Sequence, residues 1–156
     1  MAVYRHGSEA DLDEIVELLR EMHGESVYGG DERFGFCETD MRDYVKRFMD
    51  RAPRTLCWVC EEDGICGILL ADYYGLSFAK GIRSAREQML YVRKDHRGSM
   101  KGPRLMKTLF RWAKHIGAGE VLCGTNTGID AERTQKLWMK LGYRCETLGY
   151  TVRGTL

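Results

Sequence analysis

Hydrophobic residues recur every three or four positions in two segments near the start of the chain, which places them on one face of a helix. We predict amphipathic helices over residues 9–23 and from Thr39, which can cap the second helix, to the residues before Pro53. Ser8 and Asp11 have the spacing of a capping box for the first helix. The apolar positions are Leu12, Ile15, Val16, Leu19 and Met22 in the first helix, and Met41, Tyr44, Val45 and Phe48 in the second.

Two apolar runs in the middle of the chain predict neighbouring strands. Residues 55–60 and 65–74 flank an Asp63–Gly64 pair, a dipeptide that favours a tight hairpin turn. Both runs are apolar on both faces, so we expect helices to cover both sides of the sheet. Further strands are predicted at residues 2–5, 86–93 and 120–124.

Two later segments predict helices, and each ends at a glycine. Residues 102–116 carry an apolar stripe before Gly117, and residues 130–141 precede Gly142. The tail over residues 143–152 would supply one or two final strands. The predicted order is therefore β-α-α-β-β-β-α-β-α-β, an α/β fold with a central mixed sheet flanked by helices on both faces.

Composition and charge narrow the class of protein. The 156 residues suffice for a single domain, 1–156, with a sizeable core. Lys and Arg number 24 and Asp and Glu 23, so the net charge is +1 and no global field draws the chain to nucleic acid or to an anionic membrane. Because the sequence shows neither an apolar span nor an apolar leader, we expect a cytoplasmic protein with no membrane or nucleic-acid partner.

The cysteines predict thiols rather than a metal site. Six cysteines occur, but nothing in the sequence suggests secretion. Cys57 and Cys60 have C-x-x-C spacing inside a predicted strand, where residues three apart point to opposite faces. A shared zinc ion would need a turn there, so we predict buried structural thiols and no bound metal.

The most specific chemistry follows the strand predicted at residues 86–93. The chain reads YVRKDHRGSMKGPRL from Tyr91 to Leu105, passing from apolar residues to a turn rich in glycine and basic side chains. Pro103 suits the first turn of a helix, whose free N–H groups and dipole form an anion site. Neither G-x-x-x-x-G-K-[ST] nor G-x-G-x-x-G is present. From these residues alone, a phosphate loop and a plain strand–helix connection stay open as alternatives.

The same segment resembles the acetyl-CoA loop of the GNAT superfamily of N-acyltransferases, whose pattern is [RQ]-x-x-G-x-[GA] after a strand. Arg97 occupies the first position and Gly102 the last, whereas Met100 stands where the family usually has glycine. One subgroup of the superfamily, which includes many phage-borne members, tolerates a loop that departs from the pattern and precedes a basic helix start. The loop of this chain resembles the loops of that subgroup. The stretch TGIDAERT, from Thr127 to Thr134, resembles that subgroup as well.

The resemblance implies that acetyl-CoA is the cosubstrate. Its pyrophosphate would lie against backbone N–H groups of residues 98–104, with charge added by Arg97 and Lys101, which we expect to be exposed. The pantetheine arm would pair with the backbone of residues 90–92, whose side chains can equally be core. The implied cofactor-binding residues are Leu90, Tyr91, Val92, Arg97, Gly98, Ser99, Met100, Lys101, Gly102, Arg104, Asn126 and Trp138.

Acetyl transfer to an amine also needs a proton acceptor, because an ammonium ion has no lone pair. Relatives place a glutamate on the strand before the loop, and Glu87 is the nearest candidate. Counting back from Arg97 without gaps puts the family's base positions at Arg86 or Gln88, so Glu87 would need a one-residue bulge in the strand. The alternative for Glu87 is a solvated charge at the strand end.

Relatives often carry a tyrosine as general acid in the last helix, in a pattern like L-Y-x-x-x-G-[FY]. The chain reads LWMKLGY from Leu137 to Tyr143, so Trp138 stands at the tyrosine position. An indole N–H is not acidic enough for that role. Tyr91 and Tyr150 are the candidate substitutes, and we expect Trp138 to pack along the pantetheine or in the core.

The resemblance implies an N-acetyltransferase whose acceptor attacks acetyl-CoA directly in a ternary complex. The acceptor would be a small-molecule or peptide amine, bound by the loops at residues 24–35 and 75–84 and by the start of the second helix. Glu25, Asp31 and Glu32 in the first loop would suit a cationic amine or an ordinary exposed loop. The alternatives are a non-catalytic CoA-binding or regulatory module and, disfavoured by the net charge, a nucleic-acid adapter. The oligomeric state is left open, with a homodimer as one option.

Overall fold

The computed structural model describes residues 1–125 and 127–142, which build one five-stranded sheet. The strands follow one another in chain order across the sheet. The first four are antiparallel to their neighbours, and the fifth runs parallel to the fourth. They are β1 (Val3–His6), β2 (Thr55–Glu61), β3 (Ile65–Gly75), β4 (Arg83–Val92) and β5 (Glu120–Leu122).

Four α-helices cover the sheet, with α1 and α2 on one face and α3 and α4 on the other. This confirms the predicted α/β architecture as far as the described residues extend; the strands predicted over residues 143–152 lie outside them. No helix in the described part of the chain is long and apolar enough to span a bilayer. The helices are α1 (Leu12–Glu25), α2 (Glu38–Asp50), α3 (Lys101–His115) and α4 (Ala131–Lys140).

Two hydrophobic cores form because β2 and β3 bury side chains on both faces. Val59 and Ile68 pack against α1 and α2, whereas Leu69 packs against α3. Cys57 belongs to the first core and Cys60 to the second, as the strand alternation predicts. Burying each large aliphatic side chain contributes roughly 1.5–3 kcal/mol, so this two-sided packing fixes the sheet between its helix layers.

Local sequence signals set most of the element ends. Asp63 and Gly64 both have positive φ, 56° and 103°, as the two-residue turn between β2 and β3 requires. The Asp11 carboxylate accepts hydrogen bonds at 2.7 Å from both the N–H and the hydroxyl of Ser8, which confirms the capping box. The prediction that Thr39 caps α2 is wrong: the helix begins at Glu38, and the Cys37 carbonyl accepts from the Met41 N–H.

Strand β4 contains a bulge. Its pairing with β3 passes from Met89 opposite Leu70 to Glu87 opposite Ala71, so Gln88 is an extra residue. Because side chains alternate along a strand, the extra residue changes which face the earlier residues occupy. Met89 packs towards α1 and α2, whereas Glu87 lies opposite Ala71 of the α3/α4 core.

The parallel pairing between β4 and β5 is short. It joins Ser84 to Glu120 and ends where Arg86 lies opposite Leu122. Within the residues that the structure describes, no strand pairs with this edge of β4 from Glu87 to Val92. The two strands therefore part next to the bulge, and the open edge of β4 leads towards the start of α3. Strand β4 also starts at Arg83 rather than at residue 86, because its first residues pair with the end of β3.

Candidate functional site

Glu87 lies where β4 and β5 part. Its half-buried carboxylate accepts a hydrogen bond at 3.1 Å from the N–H of Gly124, just beyond β5. Burial raises the pKa of the Glu87 carboxyl to about 7, although the Gly124 hydrogen bond acts in the opposite direction. The residue lies inside the strand and not at a solvated end. A carboxyl that titrates near neutral pH can both accept and release a proton.

Cys123 is the neighbour of Glu87 that the sequence did not single out. Burial and the nearby Glu87 carboxylate raise the pKa of the Cys123 thiol to about 12. The thiol is therefore protonated at neutral pH and is a poor nucleophile. No sequence pattern connects residues 87 and 123. They become neighbours because each lies just beyond the last pair of residues that joins β4 to β5.

The loop from β4 to α3 carries a set of free backbone donors. No residue in the described ranges accepts a hydrogen bond from the N–H groups of Gly98, Ser99, Met100 or Gly102. The Ser99 hydroxyl braces the loop by donating to the His96 carbonyl at 2.8 Å. These N–H groups lie at the start of a 15-residue helix, where unpaired backbone donors can bind an anion.

Met100 does not disturb the backbone of this loop. Its φ is −78°, which any residue adopts, and its side chain is 55% exposed. The left-handed position of the loop is Gly98, with a φ of +78°. Glycine is therefore needed at residue 98 and not at residue 100, where the family pattern has it.

Arg97 points into the protein rather than into solvent. Its Nε donates to the Val92 carbonyl at 2.8 Å, and its Nη1 lies 2.9 Å from the Glu25 carboxylate and 3.8 Å from that of Asp130. The side chain is 19% exposed, so the expectation of an exposed Arg97 is wrong. The physical reason is that two acidic groups from α1 and the start of α4 surround the guanidinium.

Tyr91 joins the same network on the α1 side of the sheet. Its hydroxyl donates to the Glu25 carboxylate. Burial opposes ionisation of Glu25, but Arg97 and Tyr91 outweigh it, so the pKa of Glu25 lies below its usual value. Burial and Glu25 also raise the pKa of Tyr91. A phenol with a raised pKa is a weaker acid, so this environment does not favour Tyr91 as a proton donor.

Two further basic residues, at the end of the loop and in the first turn of α3, also have partners. Lys101 forms an ion pair with Glu62 at 2.6 Å, and its side chain is 12% exposed, so the expectation of exposure is wrong here as well. The acid comes from the turn between β2 and β3, which packs beside the loop. The Arg104 guanidinium lies 5.5 Å from the centre of the Tyr4 ring, on the β1 side of α3.

Arg133 on α4 lies in the stretch TGIDAERT but is not among the predicted cofactor-binding residues. A Cβ atom built on Gly98 would lie 3.8 Å from Arg133 Nη2, so the guanidinium reaches the loop. The residue is exposed, and among the described residues no acid forms an ion pair with it. That stretch did not indicate contact with the loop, because the contact depends on how the start of α4 packs against it.

Trp138 packs in the core on the same face of the sheet as Glu87. It is 6% exposed and belongs to the cluster that contains Leu105, Leu109 and the strand residues Leu90 and Val92. These neighbours agree with the expectation of a packing role. Asn126 and Tyr150, two further candidates, lie outside the described residues.

The segment between α1 and α2 is joined by a hydrogen bond to the residues that precede α4. The Val27 N–H donates to the Thr127 carbonyl at 3.0 Å. Two acids expected to attract a cationic amine are already in ion pairs, Glu25 with Arg97 and Asp31 with Arg33. The charge of this segment is therefore partly neutralised within the protein.

The sequence profile of the acetyltransferase (GNAT) family matches residues 12–143. No curated protein matches the sequence. The fold is similar to that of a transcriptional regulator from Bacillus halodurans C-125, at a TM-score of 0.77 and 18% identity over 99% of this chain and 100% of that one. It is also similar to glucosamine-6-phosphate N-acetyltransferase from Arabidopsis thaliana, at 0.77 and 13% over 98% of each chain. A predicted acetyltransferase with acetyl-CoA from Clostridium acetobutylicum gives 0.74 and 16% over 97% and 96%.

Replacing Arg97 should destabilise the fold. Arg97→Ala leaves the Glu25 carboxylate without its cation and frees the Val92 carbonyl, which we expect to lower the free energy of unfolding by about 1–3 kcal/mol. Urea denaturation followed by circular dichroism measures this. Arg20→Ala is the control, since its pairs with Glu17 and Glu38 are exposed and should contribute less than about 1 kcal/mol. Equal losses in the two variants would contradict a structural role for the Arg97 network.

Proposed function

Because the chain belongs to the acetyltransferase (GNAT) family, we propose that it transfers an acetyl group from acetyl-CoA to an amine by direct attack in a ternary complex. The observation that carries this proposal is the half-buried Glu87 carboxylate where β4 and β5 part. It combines a proton acceptor that titrates near neutral pH with an open strand edge leading to an anion-binding loop.

The residues around the β4–α3 loop suit acetyl-CoA, which supplies the activated acetyl group. The N–H groups of Gly98, Ser99, Met100 and Gly102 would hold the pyrophosphate. Arg133 would add positive charge. Arg97 and Lys101 would also add charge if each contacts the pyrophosphate while it keeps its ion pair, with Glu25 and Glu62 respectively. The Clostridium relative, which is described as bound to acetyl-CoA, supports this assignment.

The open edge of β4 would hold the pantetheine arm. From Glu87 to Val92 this edge has no strand partner among the described residues. Arg93 donates its N–H to Cys66 of β3, so by alternation the backbone groups of Leu90 face the open edge and can pair with the amides of the arm. The Val92 carbonyl already accepts from Arg97 and is less available. Of the two predicted donors, the N–H of Leu90 rather than that of Tyr91 faces this edge and would also polarise the thioester oxygen.

Glu87 would accept the proton of the amine. Alkylamines have a pKa of about 10.4, so they are mostly protonated at neutral pH and need a proton acceptor before they can attack. Trp138 would form an apolar wall and transfer no proton. The departing thiol has a pKa of about 8.5, so it can leave as a thiolate without a dedicated general acid.

The acceptor would be a small-molecule or peptide amine. The Arabidopsis relative, described as acting on glucosamine-6-phosphate, supports a small amine. The segment of residues 26–37 and the hairpin loop between β3 and β4 would line its site. A cytoplasmic location, a homodimer and membership of the subgroup with many phage-borne members stay predictions.

A non-catalytic CoA-binding or regulatory module is the second candidate. The observation that favours it is Trp138 at the position where relatives carry an acidic tyrosine. The experiment that separates the two is incubation with acetyl-CoA and a panel of amines, followed by release of free thiol. Amine-dependent turnover supports the enzyme, whereas tight CoA binding without turnover supports the module.

Glu87→Gln should lower turnover while leaving CoA affinity nearly unchanged. In the parent, the rate should rise as pH increases through about 7, because the carboxyl must lose its proton before it can accept one. The amide cannot titrate, so this rise should disappear. Glu120→Gln, at an exposed position of β5, is the control and should keep the parent profile. A Glu87→Gln profile that matches the parent would exclude Glu87 as the acceptor.

Arg133→Ala and Arg97→Ala should each weaken CoA binding about tenfold or more, since a charge-assisted phosphate contact contributes roughly 1.5–3 kcal/mol. Calorimetric titration measures this, and high salt should reproduce the loss. Lys140→Ala, exposed at the other end of α4, is the control. Unchanged affinity in both arginine variants would show that the backbone N–H groups bind the pyrophosphate without them.

Trp138 variants test the missing acid. Trp138→Phe should keep most activity, whereas Trp138→Ala should lose about 3–5 kcal/mol of stability or the corresponding cofactor affinity, since it truncates a buried aromatic residue. Trp138→Tyr should change turnover less than about threefold if the thiolate departs unaided. An increase of about a hundredfold would show that the natural chain lacks a needed acid and would favour the non-catalytic module. Tryptophan fluorescence gives an independent test. Emission that changes on adding acetyl-CoA in the parent but not in Trp138→Phe would show that Trp138 lies beside the bound cofactor.

A further inference from the structure

The two residues that flank Glu87 share one hydrogen-bond acceptor. Gln88 Nε2 donates to Asp72 Oδ1 at 2.9 Å. On the other side of Glu87, Arg86 Nε and Nη2 lie 3.4 Å from the two oxygens of the same carboxylate. Asp72 is itself opposite Arg86 in the β3–β4 pairing. A single side chain of β3 therefore contacts the residue before and the residue after the candidate proton acceptor.

These contacts secure the bulge of β4. Gln88 is the extra residue of the pairing, so it has no opposite residue in β3 to fix its place. Its hydrogen bond to Asp72 supplies that constraint from the side chain. The Asp72 side chain is 27% exposed, so the bond is partly shielded from water. Without this constraint, the bulge could move along the strand and carry Glu87 to another direction.

The direction of Glu87 depends on where the bulge lies. With Gln88 as the extra residue, Glu87 lies opposite Ala71 and reaches the Gly124 N–H. If Arg86 were the extra residue instead of Gln88, the Glu87 side chain would lie on the sheet face that carries Met89 and Tyr91. Each side chain there packs towards α1 and α2, away from the end of β5.

We propose that Asp72 is a positioning residue that fixes the bulge at Gln88 and thereby aims the Glu87 carboxylate at the point where β4 and β5 part. This inference rests on the proposed role of Glu87 as proton acceptor. Asp72 touches neither the acceptor amine nor acetyl-CoA in this scheme. It acts through the backbone of residues 86–88.

Several titratable or charged groups lie near Glu87, among them Asp72 and Arg86. The Glu87 carboxylate also contributes to raising the pKa values of the Cys123 thiol at the end of β5 and of the Tyr44 hydroxyl of α2. The pKa values of both are raised, burial being the largest cause, so both are neutral near pH 7. Because Asp72→Ala also removes a negative charge, which by itself would lower the pKa of Glu87, Asp72→Asn is the control that removes the same charge and keeps a hydrogen-bond acceptor.

Three variants of the full chain test the proposal. Asp72→Ala removes the acceptor, and Asp72→Asn keeps an oxygen that can accept from Gln88 Nε2. Asp50→Ala removes an exposed acid from the end of α2 and is the charge control. We expect Asp72→Ala to lower kcat about tenfold while changing KM for acetyl-CoA less than about twofold, and Asp72→Asn to restore kcat to within about threefold.

A direct titration of Glu87 gives a readout that needs no turnover. Carbon-13 NMR of labelled glutamate side chains, assigned with Glu87→Gln, follows this carboxyl in each variant. In Asp72→Ala we expect the pKa of Glu87 to fall by more than about half a unit, because a displaced carboxyl gains water. It should fall less in Asp72→Asn than in Asp72→Ala and keep its parent value in Asp50→Ala. If Asp72→Ala does not fold, Gln88→Ala removes the same hydrogen bond and should produce the same fall.

The outcomes separate this inference from the proposed function. An unchanged Glu87 titration and an unchanged kcat in Asp72→Ala, with Glu87→Gln inactive, would overturn the positioning role and leave the proton acceptor standing. Parent activity in Glu87→Gln would overturn the acceptor role and, with it, this inference. Loss of kcat in Asp72→Asn as severe as in Asp72→Ala would also count against it, since the hydrogen bond would then be irrelevant.

Discussion

The extra residue in β4 is the constraint on which the candidate site depends. Strand side chains alternate strictly, so one inserted residue moves every earlier side chain to the opposite face. The insertion at Gln88 leaves Met89 and Tyr91 packed towards α1 and α2, while Glu87 lies on the face of the α3/α4 core. The same strand can therefore bury a tyrosine against one helix layer and present a carboxyl to the gap beside β5.

Charge in the β4–α3 loop is arranged differently from what its basic composition implies. Arg97 and Lys101 bind acids from α1 and from the β2–β3 turn, so their charges bind the loop to the rest of the fold. In the proposed function, backbone N–H groups of the loop would hold the pyrophosphate, and Arg133 from another helix would add charge together with the acid-paired Arg97 and Lys101. Fixing the loop in this way reduces the entropy that would be lost when a phosphate orders it.

Burial tunes the two titratable groups that meet where β4 and β5 part. One hydrogen bond from Gly124 does not offset the loss of water around Glu87, and the pKa of that carboxyl is raised to about 7. The same desolvation, together with Glu87, keeps the Cys123 thiol protonated. The site thus holds one group able to exchange protons near neutral pH and one that is inert, although neither carries a sequence signature of its state.

The sequence by itself determined the order of the elements that the structure describes, the two-sided core and the glycine- and proline-containing turn that leads from β4 into α3. Those features follow from local properties: the helical spacing of residues such as Ile15 and Leu19, the Asp63–Gly64 turn and the glycines and proline around the start of α3. Tertiary structure alone decided that Arg97 turns inward, that Arg133 reaches Gly98 and that Gln88 is the extra residue of β4. Each of these depends on groups distant in sequence, namely Glu25, α4 and the register with β3. A pattern along the chain does not indicate which acid a given cation will contact after folding. It also does not indicate which register two strands will adopt.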